Sequence, residues 1–160
     1  MLEVIACSLA DAMAAEQGGA DRIELISHFE VGGLTPSLGL VRDVLRYVKI
    51  PVRVMLRESE NFNVTDEAEQ QRLRETAQQL AALPIDGIVC GFLNGDAIDH
   101  DWLTRVLAAA APLKVTFHRA FEELSDPLGA IQQLKQYPQI DTILTSGGQG
   151  SEGEKVATLG

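Results

Sequence analysis

The sequence predicts an α/β fold of repeated βα units around a parallel sheet, and three observations predict it. Short β-rich runs alternate with longer segments of helical period along all 160 residues, the pattern of strands joined by crossover helices. Capping chemistry stands at the junctions. The run 115–121, Val-Thr-Phe-His-Arg-Ala-Phe, ends in an imidazole and a guanidinium, as expected where parallel strands carry ligand-facing groups at their C-terminal ends.

Taken in order, the first strand is expected over residues 2–7 and is followed by a helix that opens on Ser8 with Asp11, a pair suited to satisfying first-turn amides. Gly18 and Gly19 close that helix, because left-handed backbone is cheap only for glycine. The second strand spans 22–27. Thr35 before Pro36 reads as a cap with proline at the first helical position. Leu38, Val41, Leu45 and Val48 then share one helix face. The third strand covers 52–57, and residues 58–65 form a polar loop placed as a lid or rim. Asp66 with Glu69 caps the next helix. The fourth strand runs over 87–93, followed by a helix with Trp102, Val106 and Ala110 inward. After the fifth strand, 114–121, Asp126 and Pro127 start a helix expected to bury Leu128, Ile131 and Leu134. The sixth strand spans 142–146. A glycine-rich turn over 145–151 leads to a further cap, Ser151 with Glu154, where Val156 and Leu159 open an apolar face.

Six units fall short of the eight strands and roughly 250 residues of a closed barrel. An open sheet and an incomplete barrel both fit, and the second would favour dimerisation through its exposed strand edge. At 46% hydrophobic residues the chain supports one domain over 1–160. A net charge of -10 and a pI near 4.6 argue against nucleic acid as a partner, since phosphate binding needs clustered Lys and Arg. No apolar run approaches the roughly 20 residues of a membrane span, which points to a cytoplasmic location and no membrane partner. Cys7 and Cys90 lack metal-site spacing and are expected as two buried thiols in strands.

Strand alternation puts Arg22 with Glu24, Arg53 with Met55 and Arg57, and Thr116 with His118 on common faces. If those faces point inward, Glu24, Arg57 and His118 converge at the mouth, with Glu3 and Arg53 deeper. One reading is an ion-pair network of Glu24 with Arg57 and Arg53 that only fills the interior. The other is a small anionic ligand held by Arg57, with Glu24 and His118 transferring protons. Ser146, Gly147 and Gly148 in the glycine-rich turn could add amide donors to an anion, and residues 32–36 raise the same question. His28 is expected on the surface near the mouth and His100 in a solvated cap.

The segments Gly19-Ala20-Asp21-Arg22-Ile23-Glu24-Leu25, Gly32-Gly33-Leu34-Thr35-Pro36-Ser37-Leu38-Gly39, 115–121 and Leu144-Thr145-Ser146-Gly147 together resemble the CutC copper homeostasis family. The resemblance implies a TIM-like (β/α) barrel, a cytoplasmic location and a role in copper handling. Complete members are longer, so it also implies that the chain lacks the C-terminal units. It carries over Glu3, Glu24, Arg57, His118 and Arg119 as matching positions and Cys7 as a metal ligand. Two departures stand out: Ile26 occupies the place of a second cysteine, and Glu58-Ser59-Glu60-Asn61 replaces a basic, glycine-bearing run. A single thiolate makes a poor Cu(I) cage. The expected functions are therefore weak Cu(I) binding at Cys7, with His118 as a second candidate donor and copper as cofactor, or an enzyme on a small anionic metabolite. In the second, Glu24, Arg57 and His118 are catalytic, and Arg119, Ser146, Gly147 and Gly148 bind substrate.

Overall fold

The computed structural model describes residues 1–147. Six parallel strands lie side by side in chain order: β1 (Glu3–Ala6), β2 (Arg22–Leu25), β3 (Val52–Met55), β4 (Gly87–Cys90), β5 (Lys114–Phe117) and β6 (Ile140–Ile143). The helices between them are α1 (Leu9–Gln17), α2 (Leu38–Tyr47), α3 (Glu67–Ala81), α4 (His100–Ala110) and α5 (Pro127–Leu134), with 3₁₀ turns at Phe29–Val31 and Arg119–Glu123. Among the described residues no ladder joins β1 to β6. The result is a TIM-like (β/α) barrel left open, as the sequence predicts. None of these helices is long and apolar enough to cross a membrane.

Alternation along the strands sorts the two layers. Ile23, Leu25, Val52, Val54, Leu56, Ile88, Val115 and Phe117 are buried in one cluster with the inward faces of the helices. The opposite face carries Glu24, Arg53, Met55, Arg57, Thr116 and His118, all buried. Polar side chains therefore fill positions that in most such barrels hold Val, Ile and Leu.

At the N-terminal end of the strands these groups form one network. Arg53 has 0% exposure. Its Nε donates to Asp86 at 2.8 Å, while Nη1 and Nη2 donate to the two carboxylate oxygens of Asp141 at 2.7 and 2.9 Å. Nη1 also reaches the hydroxyls of Thr116 at 2.7 Å and Thr142 at 3.1 Å. Arg22 pairs with Glu3, and Arg22 and Lys114 each stand 3.7 Å from Asp86. A Cβ on Gly87 would collide with the Lys114 carbonyl of β5 and crowd Arg53 Nε at 3.3 Å, so glycine is what fits between them. The expected partnership of Arg53 with Glu24 is corrected: register and reach give it Asp86 and Asp141 instead.

Several local expectations change. The strands end earlier than drawn, at Leu25, Met55, Cys90 and Phe117, because the residues beyond them turn into the mouth. β6 starts two residues before the expected Thr142. The helix cap after Pro36 is Ser37, which accepts from the Leu40 amide. Thr35 serves elsewhere, as shown below. Leu128 is 73% exposed, and α5 buries Ala130 and Leu134. Gly18 is right-handed, and the left-handed turn falls on Gly19 at φ 87°. Cys90 is buried as expected, but Cys7 is exposed just past the end of β1. Ser8 and Asp66 do cap α1 and α3, and Asp126 caps α5 with proline behind it. Ser151 and Glu154 lie outside the described residues.

Candidate functional site

A cavity of about 520 Å³ opens at the C-terminal end of the sheet, and Glu24, Arg57, His118, Arg119 and Ser146 all line it. Its volume is that of a small-molecule site. Ile26 and Met55 form an apolar floor, and Ile5 and Phe29, 44% and 63% exposed, form an apolar lip.

Glu24 reaches the cavity from β2 with 3% exposure. Among the described residues its carboxyl has no hydrogen-bond or ion-pair partner. Burial, reinforced by the charge of Glu3 and opposed by Arg119 and Arg22, pushes it from 4.5 up to about 7. A group so placed both takes and gives a proton near neutrality.

Arg57 follows β3 and is held by backbone. Its Nη1 donates to the carbonyls of Val31 at 3.2 Å and Gly33 at 3.4 Å, and its Nη2 to that of Glu60 at 2.6 Å. Thr35 clamps its main chain: the Thr35 amide and hydroxyl donate to the Arg57 carbonyl, and the Arg57 amide donates back to Thr35 Oγ1. The guanidinium lies 4.5 Å from the centre of the Phe62 ring, a cation–π geometry. Its Nε is buried with no partner among the described residues. Burial pulls the group below its ordinary value, with Glu123 and Glu60 acting against this and Arg119 with it. Arg119 is exposed on the 3₁₀ turn, and because β5 has already ended, it faces the mouth. A Cβ on Gly32 would stand 3.4 Å from Arg57 Nη1 and 3.6 Å from Arg119 Nη2, so the two guanidinium groups meet over this glycine. Among the described residues neither forms an ion pair.

His118 is 4% exposed and caps the 3₁₀ turn, its Nδ1 accepting from the Ala120 amide at 3.3 Å. Its Nε2 is buried without a partner among the described residues. Burial, then the charge of Arg57, lowers its pKa to about 3, with Arg119 adding to the effect and a backbone hydrogen bond opposing it. The ring packs 5.1 Å from Phe62. It lies so close to β4 that a Cβ on Gly91 would fall 2.6 Å from Nδ1.

The two glycine-bearing turns differ from the expected amide cradles. Amides 31–35 are all committed to main-chain carbonyls, and the loop offers Arg57 its own carbonyls. In the other turn, Glu122 takes the Ser146 amide at 2.6 Å and the hydroxyls of Thr145 and Ser146 at 2.6 and 2.7 Å. The Gly147 amide donates to Thr145 Oγ1 at 3.0 Å. A carboxylate of the chain itself thus occupies the place where an external anion would meet Ser146, and Thr145 takes the Gly147 amide. Gly148 lies outside the described residues.

Other candidates sit apart. His28 is exposed at φ 50°, with its Nδ1 3.1 Å from the Ser27 hydroxyl. His100 bridges α4 to α5, its nitrogens 2.8 Å from the Tyr137 hydroxyl and 2.9 Å from Gln133 Oε1, while Asp99 performs the capping. Partial burial and the charges of Asp11 and Glu30 hold the Cys7 thiol above its ordinary value. Cys90 faces the helix layer, and burial pushes it up to about 12. Among the described residues no group of three or more His, Cys, Asp or Glu side chains is placed to share a metal ion.

Phe62, Gly91 and Glu122 carry much of this geometry and were not expected from sequence. Phe62 lay inside the loop read as a rim, and nothing local marked which residue would turn inward. Gly91 was hidden within the run drawn as strand.

Comparison with known proteins places this arrangement. The model of the CutC family matches residues 1–159. A family protein CutC from Salmonella schwarzengrund (strain CVM19633) is 38% identical over 149 residues, covering 92% of this chain and 59% of that protein. The chain therefore spans less than two thirds of that relative's length. A solved structure, described as the putative copper homeostasis protein CutC from Streptococcus agalactiae, superposes with a TM-score of 0.88 at 28% identity. That match covers 99% of this chain and 80% of the other.

Proposed function

The chain belongs to the CutC family, and on that premise we propose that its open barrel mouth binds a small anionic metabolite and moves a proton on it. The observation that carries this reading is a buried, unpartnered carboxyl near neutrality that lines one cavity with two guanidinium groups, Arg57 and Arg119, neither of which forms an ion pair among the described residues. Glu24 is the acid/base. Arg119 and the uncommitted edge of Arg57 meet the anion. The exposed free thiol of Cys7 fits work in the reducing cytoplasm.

Cu(I) handling is the second reading, and the name of the Streptococcus agalactiae protein together with the exposure of Cys7 favours it. Tight Cu(I) sites gather several soft donors. The donor set here does not fit such a cage, because Cys90 faces the helices and Ile26 stands beside the mouth where a second thiol would be needed. It fits a weak contact at one thiol.

The two readings separate in one experiment. Thermal shifts with a panel of small carboxylates and phosphates are measured beside Cu(I) titration of the reduced protein against a competing chelator. Shifts that disappear in Arg119→Met and persist in Cys7→Ser support the metabolite site. One-to-one Cu(I) binding lost in Cys7→Ser, with no shift from any anion, overturns it.

A further inference from the structure

The tautomer of His118 follows from its contacts. A neutral imidazole carries one donor and one acceptor nitrogen. Nδ1 accepts the Ala120 amide at 3.3 Å, so the proton sits on Nε2. Gly91, just past β4, leaves the space the ring occupies, since a Cβ there would fall 2.6 Å from Nδ1 and displace it. Nε2–H is thus a rigidly aimed donor, buried and without an acceptor among the described residues. Arg57 Nε–H is a second donor in the same condition. Phe62 stands over both, 5.1 Å from the imidazole and 4.5 Å from the guanidinium.

We propose that His118 acts as a neutral hydrogen-bond donor, through Nε2, to the carbonyl oxygen of a small 2-oxo acid whose carboxylate meets Arg57 and Arg119, while Glu24 takes a proton from the adjacent carbon. This rests on the metabolite reading and names its substrate class. The cavity's unmet polar groups are mostly donors, so the ligand brings acceptors. The amides of 31–35, Ser146 and Gly147 are spent, and Glu122 fills the Ser146 position, so these described donors are closed to a phosphate. The apolar floor of Ile26 and Met55 suits a short carbon chain.

The step balances without a co-reactant. The carbon–hydrogen bond breaks as the Glu24 carboxylate gains the proton, and the electron pair moves into a carbon–carbon double bond. The carbonyl becomes an enolate oxygen, held by the Nε2–H of His118. Returning the proton to carbon regenerates Glu24. Burial depresses the imidazolium so far that His118 stays neutral throughout, a division of labour between neutral imidazole and carboxylate base known in enolising enzymes.

The test uses the full chain and two readouts. Nitrogen NMR of the labelled histidines is expected to show His118 protonated at Nε2 and bare at Nδ1 from pH 5 to 8. In D2O the protein is expected to exchange the methyl protons of pyruvate or the methylene protons of 2-oxobutyrate. The rate should fall about a hundred-fold or more in Glu24→Gln and by a similar factor in His118→Phe. His118→Gln, which keeps an N–H donor and cannot titrate, should restore part of the rate with an unchanged pH profile. A proton on Nδ1, or a charged ring at neutral pH, overturns the assignment even if a variant fails to fold. Oxalate, a planar enolate mimic, separates the two levels. Arg119-dependent oxalate binding without exchange overturns the carbonyl chemistry and leaves the anion site standing, whereas no shift with any anion removes both.

Discussion

Replacing Glu24 with Gln should make the protein more stable, and only above acidic pH. The carboxyl is raised from 4.5 to about 7, and at 1.36 kcal/mol per pH unit its ionised form costs the folded state about 3 kcal/mol. An unfolded chain releases this proton near 4.5, the folded one near 7. Between those values the folded state binds more protons, so this group's contribution to stability falls as pH rises. Below 4.5 both states are protonated and the cost vanishes. Glutamine keeps the shape and never ionises. Urea unfolding of both proteins between pH 4 and 8 measures the difference directly. The two should coincide at pH 4, and the variant should lead by about 3 kcal/mol at pH 8. A difference that is flat with pH, or that grows toward acid, refutes the reasoning, because it would mean that Glu24 is either solvated or paired as an anion.

Two further outcomes test the scaffold. Arg53→Leu should cost about 3 kcal/mol in chemical unfolding at pH 7, the lower part of the range because Asp141 remains partly hydrated. Arg53 holds the Asp141 carboxyl below its ordinary 3.8, so this stabilisation is present above that value and lost as pH falls through the folded one, and the deficit should narrow in acid. Gly91→Ala should displace the His118 ring, costing about 1–3 kcal/mol. Histidine NMR should then show Nδ1 released from Ala120, and an unchanged ring signal would disprove the packing argument.

What could be read from sequence followed from periodicity. Strand alternation correctly grouped Arg53 with Arg57 and Thr116 with His118, because period-two geometry survives any tertiary arrangement. It also set Glu24, Arg57 and His118 at one mouth. It could not name partners. Arg53 finds Asp141 across 88 positions, a pairing that depends on sheet register and leaves no local trace. Arg119 stood out of phase with His118 on paper, yet the 3₁₀ turn that begins at Arg119 breaks the alternation and brings it to the cavity. The glycine turns are legible either as amide cradles for an anion or as tight turns that need glycine sterically. Their positive φ at Gly32, Gly33 and Gly147 supports the second. Their amides end on the carbonyls of Ser27, His28, Phe29 and Arg57 in one turn and on Glu122 and Thr145 in the other, partners that no motif encodes.

The Arg53 network also ties distant parts of the chain to one register. Its acceptors lie 33, 63 and 88 positions away, on Asp86, Thr116 and Asp141. No shorter stretch of the growing chain can satisfy it. A collapse that sealed β1, β2 and β3 early would trap a guanidinium lacking its bidentate partner, an outcome costly enough to reverse. A register that failed to deliver Asp141 would leave this charge buried without its bidentate partner, so the network favours the native docking of β6 over any slipped one.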